Sequence, residues 1–220
     1  MKAVDASRMV VDSVQVGMPR ALETDRGTVT SAILKVAVPG RVAVGALGLH
    51  GDAQGDTTNH GGPDKAMCTY PKAHYARWES RLGRPLPPGA FGENLTLEGI
   101  DEVTACIGDV LVVGTARVQV SQPRTPCYKL AARHGEPRLA DWVLDHGGTG
   151  WYFRVLMPGD VWAGAPMTLE ARPHPDLTIA EANRVMFVAR EDREAIRRLL
   201  VPELAESWAG RLRRRLAGEE

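Results

Sequence analysis

Ala116-Arg117-Val118-Gln119-Val120-Ser121-Gln122-Pro123-Arg124-Thr125-Pro126-Cys127-Tyr128-Lys129 is the stretch whose reading decides the fold. The run from Ala116 to Ser121 is β-rich, and two prolines then stop it, because each fixes φ and lacks an N–H. A helix-like segment begins at Tyr128, so Cys127 sits on a stiff turn between strand and helix. A thiol at a helix start, three residues after Arg124, is expected to ionise more readily than usual, since dipole and cation both favour thiolate. Thiolate attacks electrophiles or binds a soft metal. The same turn suits a small buried structural thiol equally well, and these residues alone leave both readings open.

Strand signals dominate upstream. Asp12–Val16, Thr28–Val36 and Val42–Val44 are β-branched runs separated by turns such as Asp25-Arg26-Gly27 and Pro39-Gly40. Short strands with frequent glycine turns predict an antiparallel barrel or sandwich, mainly β, with a few peripheral helices. Pro71 to Leu82 reads as a helix with Tyr75, Trp78 and Leu82 on one face. Phe91 to Leu97, Val110–Val113 and Ala116–Val120 read as strands. Tyr128–His134 and Pro137–His146 read as helices, the second stopped by Gly147. Gly150 to Met157 reads as a buried strand containing Arg154, whose charge calls for an anionic partner, either an internal carboxylate or a ligand.

The period changes from two to about 3.6 beyond Arg172-Pro173-His174-Pro175, which reads as a hinge. Thr178-Ile179-Ala180-Glu181 is a capping box. Two further helices follow, the last carrying Leu204, Trp208, Leu212 and Leu216 at four-residue steps. The expected organisation is a β-barrel domain over 1–171 and a small three-helix bundle over 172–220, docked or dimerising because it is small.

Composition narrows the function. With 44% hydrophobic and 25% charged residues, the chain can bury a core. Lys+Arg 27 against Asp+Glu 27 leaves no net field for nucleic acid or anionic membrane. A DNA-reading role for the arginine run 211–215 is disfavoured because residues 170–220 hold ten basic and ten acidic side chains. The amino terminus, Met1-Lys2-Ala3-Val4-Asp5, leads into no apolar run, so no signal peptide is expected. The run Ala32 to Leu49 is broken by Lys35, Pro39 and Arg41 and does not read as a membrane span. Three scattered cysteines, Cys68, Cys106 and Cys127, form no C-x-x-C, which favours a reducing cytoplasm over a disulfide framework.

The densest chemistry lies between Leu49 and Tyr70. Gly61-Gly62 can turn backbone N–H groups inward as an anion nest, with Lys65 adding charge. An ordinary surface loop with capping aspartates explains the same composition. Asp52, Asp56 and His60 match no metal-ligand spacing. Glu93 and Asn94 either point into a pocket or simply close a turn.

Gly-Leu-His-Gly-Asp (48–52), Gly-Asp…His-Gly-Gly-Pro-Asp-Lys-Ala (55–66), Phe-Gly-Glu-Asn-Leu (91–95), Gln-Pro-Arg-Thr-Pro-Cys (122–127) and Gly-Trp-Tyr-Phe-Arg-Val-Leu (150–156) together resemble the MOSC domain. This is the β-barrel module of molybdenum cofactor sulfurases and amidoxime-reducing components. The tail with Leu-Thr-Ile-Ala-Glu-Ala (177–182) is similar to the YiiM-like branch, where three helices follow the barrel. The resemblance implies a molybdenum cofactor, Mo-molybdopterin, with Cys127 as the metal ligand. It implies basic and backbone groups around the cofactor, for which Lys35, Gly61, Gly62, Lys65, Asn94, Arg124 and Arg154 are the candidates.

The activity implied is a detoxifying reduction of N-hydroxylated compounds such as 6-hydroxylaminopurine, R–NHOH to R–NH2, at molybdenum. Asp56, Asp52 and His60 are the candidate proton donors. No pyridoxal phosphate is called for. The chain lacks Gly-x-Gly-x-x-Gly and an iron–sulfur cysteine cluster, so a separate flavin or iron–sulfur reductase is implied as electron donor. A homodimer is a candidate assembly. The competing readings are a cofactor carrier or sulfur-transfer module without turnover, and a cysteine hydrolase with Cys127 as nucleophile.

Overall fold

The computed structural model describes residues 9–56 and 60–219. The stretch read for a signal peptide, Met1 to Asp5, lies outside the described residues. In chain order the elements are β1 (Val10–Val16), β2 (Arg20–Thr24), β3 (Gly27–Ser31), β4 (Val36–Ala37), β5 (Val42–Gly45), β6 (Gly48–Leu49), β7 (Met67–Pro71), α1 (Tyr75–Leu82) and β8 (Leu95–Glu98). There follow β9 (Val110–Val113), β10 (Ala116–Pro123), α2 (Tyr128–His134), α3 (Leu139–His146), β11 (Trp151–Met157), β12 (Gly159–Val161), β13 (Met167–Ala171), α4 (Ile179–Asn183), α5 (Arg193–Leu199) and α6 (Glu206–Ala217).

Eight strands form one sheet in the order β13-β9-β10-β11-β7-β8-β1-β4. The β-rich run that ends in the two prolines is its centre: β10 lies between β9 and β11, with Ala116, Val118 and Val120 fully buried. The expected barrel does not close through a continuous ladder. Its seam is a single bridge, Val10 to Pro166, together with backbone hydrogen bonds from Val11 N to Ala165 O (3.0 Å), Gly164 N to Val11 O (2.7 Å) and Met167 N to Met9 O (2.9 Å). Proline at the bridge supplies no N–H, so the ladder cannot run on there.

The pairing also departs from a purely antiparallel pattern. β7 and β8 are parallel, with Thr69 opposite Leu95, and α1 provides the crossover between them. Local alternation carries no strand direction, so a βαβ unit inside an otherwise antiparallel sheet leaves no periodic trace. The Phe91–Leu97 strand starts later than expected, because Phe91 to Asn94 form a turn ahead of β8. Similarly, Pro71 ends β7 rather than opening a helix, and a 3-10 turn precedes α1.

The carboxy-terminal helices share the core of the sheet. Thr178 caps α4 by accepting from Glu181 N (3.0 Å), as the capping box requires. A π-helical stretch, Arg184–Val188, continues α4. Leu177, Ile179, Val185, Ile196, Leu199, Trp208 and Leu212 belong to the same apolar cluster as Val118, Phe153 and Leu111. The presumed hinge is in fact pinned: Arg172 Nε and Nη2 both donate to the fully buried Asp109 carboxylate (2.8 and 2.6 Å), and His174 pairs with Glu203 at 2.8 Å. Among the described residues no helix is long and apolar enough to cross a membrane, and all three cysteines are free.

Candidate active site

Three neighbouring strands deliver the site. β7 brings Cys68, β11 brings Tyr152 directly opposite it, and β10 continues past Gln122 into the two-proline turn. The ladder between β10 and β11 slips between Val120 and Gln122. Such a bulge re-aims the strand end, and here Arg124 and Cys127 come to line one cavity with Asp52, Asp56 and His60. Gly150 makes this convergence possible: its φ is +73°, and a Cβ there would lie 2.2 Å from Thr69 O.

The result is a cavity open to solvent on one side. Lys35, Asp52, Asp56, His60, Gly61, Lys65, Asn94, Arg124 and Cys127 all line it. Two of the expected residues stand apart. Gly62 is exposed beside the cavity. Arg154 donates from Nε to Asp64 Oδ1 (2.9 Å) and from Nη1 to Gln119 Oε1 (3.1 Å), so its anionic partner is an internal carboxylate.

Several of the lining groups are already satisfied by the protein. Lys35 Nζ lies 2.5 Å from Asp52 Oδ1, and both side chains are buried. Asp52 also accepts from Gly17 N (2.7 Å) and from Asn94 Nδ2 (2.8 Å). Both carboxylate oxygens are thus engaged within the protein, by one cation and two N–H donors. Asn94 spends its amide on Cys68 N (3.0 Å), Gln15 O (3.2 Å) and Asp52. Its neighbour Glu93, fully buried, accepts from Gly89 N, Phe91 N and Thr96 Oγ1 (3.0 Å each) and from the Tyr75 hydroxyl. Glu93 and Asn94 therefore shape the turn rather than wait for a ligand.

The opposite wall is different. Arg124 is buried, yet its Nη1 has no hydrogen-bond partner among the described residues. Burial opposes its charge, while Cys68, Tyr152 and Cys127, which lie beside it and bear negative charge only once ionised at high pH, move its pKa upward. Cys127 caps α2 and is half-buried. Lys129, in the first turn of α2, is buried against the same space.

Burial lowers the His60 pKa, helped by Lys129 and opposed by Asp56. Burial also lowers Lys65, with Asp64 and Asp56 opposing it. Cys68 and Tyr152 are both pushed up by burial, so each stays protonated. The wall is thus cationic, with a buried unpartnered donor and one accessible thiol. An unmet buried guanidinium N–H costs stability unless an acceptor arrives, and this arrangement fits an anionic group bearing a soft metal.

Lys129, Cys68, Tyr152 and Gln54 were not singled out in the sequence. Lys129 could have been noticed as a lysine in the first turn of α2, where its charge opposes the helix dipole. Cys68, Tyr152 and Gln54 have no sequence signal. Among the described residues, no group of three or more His, Cys, Asp or Glu could hold a metal ion by itself. A soft metal would need ligands of its own besides Cys127.

Two family models match the chain: the MOSC domain over residues 56–168 and the YiiM-like 3-alpha helix domain over residues 177–219. YflK of Bacillus subtilis (strain 168) is 44% identical over 202 residues, covering 91% of each chain. Protein YiiM of Escherichia coli (strain K12) is 39% identical over 194 residues, covering 86% of each. A protein named reductase from Gibberella moniliformis is 36% identical over 73% of this chain, which spans 29% of that longer protein. Among solved structures, YiiM from Geobacillus stearothermophilus matches with a TM-score of 0.82 and 41% identity, covering 95% of this chain and 100% of that one.

Proposed function

The chain belongs to the MOSC family, in its YiiM-like branch, and from that premise we propose that it is a molybdenum-cofactor-dependent reductase of N-hydroxylated compounds. The observation that carries this reading is that Cys127 lines one cavity with the buried Arg124, whose Nη1 has no hydrogen-bond partner among the described residues, and with Lys65 and Lys129. A reductase-named relative supports the reaction class, and the MOSC domain is one associated with molybdenum cofactor.

The residues present fit the cofactor. Cys127 supplies the soft ligand, and Arg124, Lys129 and Lys65 supply positive charge to the anionic pterin and its phosphate. When bound, the cofactor would supply the oxygen-accepting, two-electron chemistry that reduction of R–NHOH requires. The net reaction is R–NHOH plus two electrons and two protons giving R–NH2 plus water.

The chain's own task is to bind, orient and deliver protons. Burial and Lys129 disfavour charge on the His60 imidazole. A polyanion placed beside it reverses that balance and puts a proton on the imidazole. Asp56 sits at the same edge of the cavity and is the carboxylate that opposes the lowering of His60. Asp52 is withdrawn from the proton-donor set by its Lys35 contact. Electrons come from a separate flavin or iron–sulfur reductase.

The test is metal analysis of wild type and Cys127→Ala, both made in a host that assembles the cofactor. Wild type is expected to carry near-stoichiometric molybdenum and to consume 6-hydroxylaminopurine with a chemical reductant, and Cys127→Ala to lose both. Negligible molybdenum in wild type sinks the reading. Full molybdenum without turnover of any N-hydroxylated base makes the protein a cofactor carrier.

A further inference from the structure

A second cavity adjoins the first. It shares His60, Lys65, Thr125 and Tyr152 with the main cavity, so the two lie against a common wall. Its far wall belongs to the carboxy-terminal helices: Met186 from the π-helical stretch, and Ser207, Trp208 and Arg211 from α6. Positions 207, 208 and 211 fall three and four apart and lie on one face of the helix.

The start of α6 is fastened to the sheet beside the site. Ser207 Oγ donates to Gln122 Oε1 (2.9 Å), Ala205 N donates to Ser121 O (2.9 Å), and Glu206 N reaches Asp64 Oδ2 at 3.4 Å. Gln122 and Ser121 lead directly into the turn that carries Arg124 and Cys127. The position of Arg211 relative to Cys127 is therefore set by hydrogen bonds across a short rigid path. The described lining of this cavity offers Lys65 and Arg211 as cations, Met186 and Trp208 as apolar surface, and no carboxylate.

We propose that this groove is the substrate-recognition half of the site, and that it takes a ring compound carrying a phosphate, such as a purine nucleotide, rather than a free base. The ring would meet the small exposed edges of the otherwise buried Met186 and Trp208, and Arg211 would meet the phosphate, for which a guanidinium fork is the better-matched cation. The identity of the compound turned over rests on the reductase reading. What the groove binds rests on its lining alone. The phosphate could also come from the cofactor, and the experiment separates the two sources.

Calorimetry on cofactor-free protein, from a host unable to make molybdopterin, would use adenine, adenosine and adenosine monophosphate as unreactive probes. The monophosphate is expected to bind about ten-fold tighter than the nucleoside. Arg211→Ala should erase that preference, and Arg211→Lys should retain part of it. Cofactor content of Arg211→Ala from a competent host should match wild type.

Equal affinity for nucleoside and monophosphate, or no binding of either, overturns the proposal. So does an Arg211→Ala variant that sheds cofactor while keeping the preference, because the groove then serves the cofactor's own phosphate. A protein that prefers the monophosphate but reduces nothing overturns the reductase reading and leaves this one standing.

Discussion

Arg154 and Arg124 make an instructive pair. Both lie on or just beyond the central strands, and both were candidates for holding an anionic cofactor. Arg154 faces Asp64 and Gln119 and is answered within the protein. Arg124 is more deeply buried and has a nitrogen with no partner. Residue type alone does not separate them. The difference lies in whether the fold brings a carboxylate to the guanidinium, and the unanswered arginine is the one assigned to the proposed cofactor. The same contrast divides the cavity walls, with Lys35, Asp52 and Asn94 closed on one another and Arg124, Lys129 and Cys127 open to a guest.

The largest effect should come from breaking the closed wall. Asp52→Ala strands a buried Lys35 cation and should cost roughly 3–5 kcal/mol of stability in chemical denaturation. A loss below about 1 kcal/mol would show that the pair contributes little and that Lys35 is available to a ligand.

A smaller effect separates the two arginines directly. Arg154→Met should destabilise the cofactor-free protein by about 1 kcal/mol, since its partly exposed pair is lost. Arg124→Met should be neutral or stabilising in the same protein, because removing an unpaired buried charge relieves a cost. In protein from a competent host the order should invert, with Arg124→Met losing cofactor and Arg154→Met keeping it. If Arg124→Met is the more destabilised variant without cofactor, the contrast fails.

The smallest effect is on pH dependence. His60 has a lowered folded-state pKa, so the unfolded chain binds its proton first as pH falls. The stability tied to the neutral imidazole is complete above about pH 6.5 and is lost as pH drops through the folded value. His134 and His146 are lowered as well, chiefly by burial, and act in the same direction. The urea midpoint of the cofactor-free protein should therefore fall between pH 7 and pH 5.5, and less so in His60→Gln. An imidazole resonance of His60 that titrates above pH 6.5 without ligand would break the account.

Much of this architecture is visible in local patterns. The alternation in Val118 and Val120, the two prolines and the helix start at Tyr128 place Cys127 on its turn. Thr178 and Glu181 announce α4 through hydrogen bonds three residues apart, and the four-residue steps of α6 select Trp208 and Leu212 as its buried face. Such features depend on neighbours within a turn or two, which is the range that a sequence displays directly.

Pairings across the chain are another matter. Asp52 meets Lys35 and Asn94 because β1, β4 and β8 lie in one register, and Cys68 meets Tyr152 because β7 and β11 do. The parallel β7–β8 step and the Pro166 seam follow from the same long-range packing. By itself the sequence determined the elements, the reactive turn and the likeness to a cofactor-binding family. The tertiary structure alone decided which charges cancel and which remain unmet, because partner choice depends on strand register and burial rather than on residue type.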